Sequence, residues 1–225
     1  MLVATLIANP ANPVLTPSHV EMAAQAVGSR SLYWLADGIA ADIMLPSDTN
    51  AASGLEVLRA AMEAMPVDIV VQLQAARRKK LLIADMDSTM IDQECIDELA
   101  DVVGLKAHVA AITARAMNGD IPFEDALRER VALLKGMREA VVADVIRDRI
   151  TLAPGGRQLV ATMRNQGGHA ALVSGGFTCF TAPVAAMLGF DESQANILEA
   201  KAGQFTGAVR EPILGRQAKA DALQS

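Results

Sequence analysis

The sequence predicts an α/β protein in two parts: a short mixed segment, then a larger part built on buried parallel strands. Three observations carry this prediction. Of the 225 residues, 52% are hydrophobic but only 3% are aromatic. Alanine and small aliphatics fill the apolar share, which suits helices on a sheet better than an aromatic-rich β-sandwich. Strand-like runs alternate with stretches of helical period, and from residue 81 the apolar runs end abruptly in Asp or Ser, the look of strands buried on both faces.

Residues 2–7 are aliphatic and partly β-branched and read as a strand. Pro17-Ser18-His19 opens a helix to about Val27. Residues 31–35 and 40–45 read as two short strands around Asp37-Gly38. Asp48-Thr49-Asn50 can cap a helix whose apolar positions include Leu55, Leu58 and Met62. Residues 67–73 form a further strand, and the order β-α-β-β-α-β is the ferredoxin-like pattern over residues 1–76. The basic run Arg77-Arg78-Lys79-Lys80 reads as a linker or a capping turn.

Residues 80–85 then read as a buried strand. A long helical region covers about residues 93–149, with apolar stripes such as Ile96, Leu99, Val103 and Leu127, Val131, Leu134. Pro154-Gly155-Gly156 opens a helix to about Arg164, and Gly167-Gly168 leads into a second buried strand, residues 169–173, ending in Ser174-Gly175-Gly176. Another helix runs to Leu188. Residues 196–200 and 204–209 pair as a hairpin across Ala202-Gly203, and a last helix starts near Leu214.

Composition excludes several classes of function. The apolar content rules out a disordered chain. Net charge is −6, and the only concentrated basic stretch is residues 77–80, too little for the phosphate contacts of a nucleic-acid binder. No run reaches the roughly 18 uninterrupted apolar residues that a membrane span needs. Cys95 and Cys179 form no CxxC pair, and the apolar start, residues 1–8, lacks a basic region before it. The expectation is a cytoplasmic protein with neither a nucleic-acid nor a membrane partner.

The chemical signal is Asp85-Met86-Asp87-Ser88-Thr89 at the end of an apolar strand. Ligands of open α/β sheets bind outside the carboxyl ends of strands. Two carboxylates two residues apart point to one side of an extended chain. They can act as nucleophile and general acid/base, or as ligands of a hard cation. A bare DxD is more often a solvated loop. The apolar strand before it, and the hydroxyls and amides of Ser88 and Thr89 after it, favour a phosphate site.

These residues resemble the DxDxT motif of the haloacid dehalogenase (HAD) superfamily. Glu94, Arg115-Ala116-Met117-Asn118-Gly119, Phe123, Arg130-Val131-Ala132-Leu133-Leu134-Lys135 and Val173-Ser174-Gly175-Gly176-Phe177 extend the likeness to the phosphoserine phosphatase family, over about residues 80–225. The first segment resembles an ACT-like domain. The resemblance implies a Rossmann-like parallel sheet in residues 77–225, with a helical cap over about residues 93–149. It also implies Mg²⁺-dependent hydrolysis of O-phosphoserine to serine and phosphate, the last step of serine biosynthesis. By resemblance Asp85 is the nucleophile and Asp87 the acid/base. Mg²⁺ is held by the Asp85 carboxylate and the Asp87 carbonyl. Ser174, Gly175, Gly176 and Lys219 hold the phosphate. Glu94 faces the substrate ammonium, Arg130 grips its carboxylate, and Met117 and Phe123 form an apolar wall. Without the resemblance, these would read as a glycine turn, surface charges and core. His19, His108 and His169 have no metal-ligand spacing and receive no role. A homodimer is compatible with this reading.

Relatives carry a GDGxND segment one strand beyond the lysine helix, and its aspartate completes the metal site. This sequence stops six residues after Lys219 without it. The expectation is a truncated chain with an incomplete sheet, weakened metal binding, impaired turnover and an unprotected strand at residues 80–85. Two other readings stand beside it: a phosphatase for another small phosphomonoester, and a weakly active or non-catalytic fragment that binds phosphoserine or an amino acid.

Overall fold

In the computed structural model, which describes residues 1–215 and 217–222, the chain folds as two units, Met1–Lys79 and Lys80–Ser225. The first unit runs β1 (Leu2–Ala8), α1 (Pro17–Ala26), β2 (Leu32–Ala36), β3 (Ala40–Met44), α2 (Ala51–Ala61) and β4 (Val67–Leu73). Its sheet has the order β2-β3-β1-β4 and is antiparallel throughout. This is the ferredoxin-like arrangement that the element order predicts.

Side-chain alternation decides its faces. Ala4, Leu6 and Ala8 of β1 enter a core with Val20 and Ala23 of α1, Ile43 of β3, and Leu58 of α2. Each fully buried Val, Leu or Ile among them is worth about 1.5–3 kcal/mol. Thr16 caps α1, its Oγ1 accepting the His19 amide at 3.3 Å. Asn50 caps α2, its Oδ1 accepting the Ala52 amide at 2.9 Å. On the other face Thr5 and Asp42 stand opposite each other, and Thr5 Oγ1 donates to Asp42 Oδ1 at 2.7 Å. Arg77 Nη1 donates to the second oxygen of that buried acid. A short 3-10 turn, Gln74–Ala76, brings the chain there. The first member of the basic run is therefore an ion-pair partner of the sheet, not part of a free linker.

The second unit holds β5 (Leu81–Ala84), the helices α3 (Cys95–Val102), α4 (Lys106–Met117), α5 (Phe123–Ala132), α6 (Val141–Arg149) and α7 (Gly156–Asn165), then β6 (His169–Phe177), α8 (Thr178–Leu188), β7 (Glu192–Asn196), β8 (Leu198–Lys201), β9 (Gln204–Val209) and α9 (Ala218–Ala222). The strands β5, β6 and β7 form a parallel sheet in that order. Among the described residues β5 pairs only with β6, so it is an edge. The main core lies under α7 and α8, with Leu172, Val160, Phe180, Val184 and Leu188 buried. The opposite face, Ala171 and Val173, is covered by Ile83, Leu214 and Ala222.

Three boundaries depart from the sequence expectation. The strand expected at residues 196–200 is two strands: β7 ends at Asn196 and pairs parallel with β6, while β8 turns away into the hairpin with β9. The hairpin turn is as expected, with positive φ at both Ala202 (51°) and Gly203 (77°), the requirement of a type I′ turn. The strand expected to end before Ser174 continues past it to Phe177, with its register shifting between Val173 and Phe177. The last helix begins at Ala218 rather than near Leu214, because the Leu214 backbone is engaged by a side chain of β7.

Gly168 leads into β6. A Cβ there would lie 2.9 Å from the Met163 carbonyl oxygen and 3.2 Å from that of Lys80. Neither backbone atom can give way without moving α7 or the β5–β6 pairing. Gly168→Ala is therefore expected to lower the unfolding free energy by about 1–3 kcal/mol, the usual cost of overpacking, read by urea unfolding. An unchanged urea midpoint would show that the sheet is not held at this point.

Candidate active site

The site grows from one buried methionine. Met86 is fully buried, and its carbonyl accepts the amides of Thr89, Met90 and Ile91 at 3.2, 2.9 and 3.1 Å. With Met86 turned into the core, its neighbours Asp85 and Asp87 are both directed to the end of the sheet. Asp85 Oδ1 accepts the Met86 amide at 2.9 Å. Its Oδ2 accepts a hydrogen bond from Lys219 Nζ at 2.5 Å, across 134 positions of chain. Asp87 Oδ1 accepts the Cys95 amide at 3.1 Å, at the start of α3.

The end of β6 supplies the facing side. Ser174 is buried, and its Oγ accepts the Gly176 amide at 2.9 Å. A Cβ on Gly176 would sit 2.8 Å from Asp87 Oδ2 and 3.1 Å from Ser174 Oγ. Only glycine lets this backbone come so near the carboxylate. Asp85, Phe123, Val173, Ser174, Gly175, Gly215 and Lys219 line a cavity of about 560 Å³. Five of the residues singled out in the sequence thus meet around one space, and Gly176 and Asp87 adjoin it.

The cap residues divide. Phe123 lines the cavity at 39% exposed, its ring 3.3 Å from where a Gly175 Cβ would be. Met117 is 83% exposed at the end of α4 and does not line the cavity, so it adds nothing to the expected apolar wall in this arrangement. Glu94 accepts a 2.6 Å hydrogen bond from Ser88 Oγ, and Ser88 holds a left-handed φ of 50°. Such a backbone is costly for a residue with a side chain and persists where its surroundings impose it. Arg130 is half-buried on α5. Its Nε donates to the Ala126 carbonyl at 3.2 Å and its Nη1 to Thr113 Oγ1 at 3.4 Å. Among the described residues no carboxylate lies within salt-bridge distance of it.

Burial governs the electrostatics. It pushes the Asp87 carboxyl up to about 6, opposed by the bonds from Cys95 and assisted by the charges of Glu94 and Asp85. It also pulls the Arg130 guanidinium below its ordinary value, against the attraction of Asp97 and Glu94. The Cys95 thiol is pushed far up by burial and by Asp87, which makes it inert as a nucleophile. Asp85 and the Asp87 carbonyl offer two hard oxygens. Among the described residues no group of three or more His, Cys, Asp or Glu could hold a metal.

Sequence reasoning missed Asn196. Its buried side chain bonds to Gly175 and to Leu214, joining the glycine end of β6 to the segment that leads to Lys219. The available signal was position: a polar residue closing the third parallel strand, as Asp85 directly follows the first. It was hidden because residues 196–200 read as a single hairpin strand.

The model of the haloacid dehalogenase-like hydrolases matches residues 82–225. The chain belongs to this family. Its α/β fold with a parallel sheet is that of the HAD hydrolases of known structure. A probable phosphoserine phosphatase from Vibrio cholerae, in unliganded form, superposes with a TM-score of 0.76 at 31% identity, over 99% of this chain and 67% of that one. A HAD family hydrolase from Salmonella enterica subsp. enterica serovar Typhi gives 0.83 at 25% identity, over 99% and 77%. The phosphoserine phosphatase of Polaromonas sp. (strain JS666 / ATCC BAA-500) is 49% identical over 129 residues, 57% of this chain and 55% of the relative. This HAD hydrolase spans about half the length of the curated relatives it matches.

The raised Asp87 carboxyl has a consequence for stability. Between its unfolded value, 3.8, and about 6 the native state keeps a proton that the unfolded chain has lost. Stability from this group is therefore greatest at low pH and falls as pH rises through that window. Asp87→Asn removes the penalty. Its unfolding free energy relative to the parent is expected to rise by on the order of 2–3 kcal/mol between pH 3.5 and pH 8, in urea series without added divalent metal. A pH-independent difference would contradict the burial of this charge.

Proposed function

We propose that the chain is a phosphoserine phosphatase: it hydrolyses O-phospho-L-serine to L-serine and phosphate through an aspartyl-phosphate. The observation that carries this reading is the cavity in which Asp85, Ser174 and Lys219 meet. The half-buried Arg130, with no carboxylate at salt-bridge distance among the described residues, supports an amino-acid substrate. So do the names of the curated relatives.

In this reading a carboxylate must attack a phosphate dianion, and each charge pair at contact opposes it by about 1 kcal/mol in water, more in a drier site. Lys219 already lies against the attacking oxygen and can follow the charge onto the phosphoryl group. As the bond from Asp85 to phosphorus forms, the bond to the serine oxygen breaks, and Asp87 gives that oxygen its proton. Water then attacks the aspartyl-phosphate while Asp87 takes a proton back. A carboxyl that titrates near 6 can serve both steps at neutral pH. Ser174 and the glycines beside it hold the phosphate, and Phe123 shields it from water. Glu94 faces the ammonium, and the Arg130 fork takes the carboxylate.

The donor set fits Mg²⁺, a hard cation that keeps several waters and binds through one or two carboxylates. The Asp85 carboxylate and the Asp87 carbonyl would hold it. When bound, it supplies positive charge that offsets repulsion between nucleophile and phosphate. Residues 1–76 act as an ACT-like domain and residues 77–225 as the phosphatase domain, with the cap at about 93–149. The setting is the cytoplasm, the reaction closes serine biosynthesis, and a homodimer is the assembly.

Phosphate release with Mg²⁺ tests the reading. Phosphoserine is expected to be turned over, and Asp85→Asn to abolish release. Arg130→Lys is expected to raise KM for phosphoserine by about 10–100-fold, as for loss of a charge-assisted fork, and to leave phosphoethanolamine unchanged. Equal parent rates on the two substrates would remove the role of Arg130. A folded chain that releases no phosphate from either would remove the phosphatase.

A further inference from the structure

We propose that Asn196 is a positioning residue that sets the Ser174 hydroxyl and the Lys219 segment in register across the cavity. Its effect on a bound anion rests on the phosphatase reading. The clamp itself rests on geometry.

The Asn196 side chain is 2% exposed at the end of β7. Its Nδ2 donates to the Gly175 carbonyl at 2.8 Å and to the Leu214 carbonyl at 3.1 Å, and its Oδ1 accepts the Leu214 amide at 2.7 Å. Both donors are used, and the acceptor is engaged. The Gly175 carbonyl and the Gly176 amide belong to one planar peptide unit and point opposite ways. Asn196 holds one end of that unit, and the other end donates to Ser174 Oγ. A single peptide plane thus carries the orientation set by Asn196 to the hydroxyl. The same side chain holds Leu214 by both backbone groups, five residues before Lys219, whose ammonium meets Asp85.

No other side chain does this in the same space. Aspartate keeps the acceptor and loses both donors, and alanine loses all three bonds. The segment has further anchors that do not depend on Asn196. Arg128 of α5 grips Glu211 at 2.7 and 3.2 Å, and the Arg210 amide donates to the Ile197 carbonyl at 2.9 Å. Loss of the clamp should therefore loosen the register without releasing the segment.

Two measurements on the full chain test the proposal. In amide hydrogen exchange, Asn196→Ala is expected to speed Leu214 and Gly176 at least tenfold while Leu172, in the middle of β6, keeps its rate. Asn196→Asp is expected to retain protection at Leu214 and lose it at Gly176. Acceleration of all three amides together in both variants would mean a general structural role and overturn the clamp. In titrations with inorganic phosphate, Asn196→Ala and Lys219→Ala are each expected to weaken binding about tenfold, and the double variant no more than threefold beyond either. Additive losses would overturn the coupling. A parent chain that takes no phosphate would remove the phosphatase reading, and the exchange pattern would then decide the clamp by itself.

Discussion

The parallel pairing of β5 with β6 is the constraint on which the rest of the second unit depends. Ala84 stands beside Leu172, so Asp85, one residue on, and Ser174, two residues on, come to the same end of the sheet. Strand side chains alternate faces, so a slip of one residue would turn Leu172 out of the core and Val173 into it, and would carry Ser174 away from the acid. The core under α7 and α8 opposes that slip. The Gly167-Gly168 turn adds a second lock, because no side chain fits between Met163 and Lys80 where β6 begins.

Charge burial is the second theme. Asp87 and Arg130 are each drawn partly out of water, and each is shifted toward its neutral form by that burial. A protein without a use for them would gain by replacing both with apolar side chains. Their placement follows from neighbours that are themselves well anchored: Met86 in the core behind Asp87, and Val131 in the core beside Arg130. The left-handed Ser88 belongs to the same pattern, since its strain is tolerated where its hydroxyl holds Glu94.

Much of the fold was legible because its signals are local. The helix start at Pro17, the cap at Asn50, the hairpin turn at Ala202-Gly203 and the apolar run of β5 are written in neighbouring residues. The candidate site was legible where motifs are contiguous, as at residues 85–89 and 174–176. Met117 and Asn196 were not legible. Met117 is 83% exposed although its motif resembles a substrate-facing one, because it lies off the α4 face that buries Val109 and Ile112. Asn196 was disguised because apolar alternation does not reveal where one strand stops and a hairpin arm starts. The parallel partner of β7 decides that, and it is β6, a long-range contact.

The sequence by itself determined that this is a two-part α/β chain with two acids at the end of a buried strand and a glycine turn at the end of another. Those features depend on residue type and spacing within a few positions. The tertiary structure alone decided that Lys219 reaches Asp85 across 134 positions, that Arg77 pairs with a buried sheet acid, and that one asparagine ties the glycines of β6 to the lysine segment. Each of these joins groups that are distant in the chain, and the free energy that brings them together comes from burying the cores between them, which no local pattern encodes.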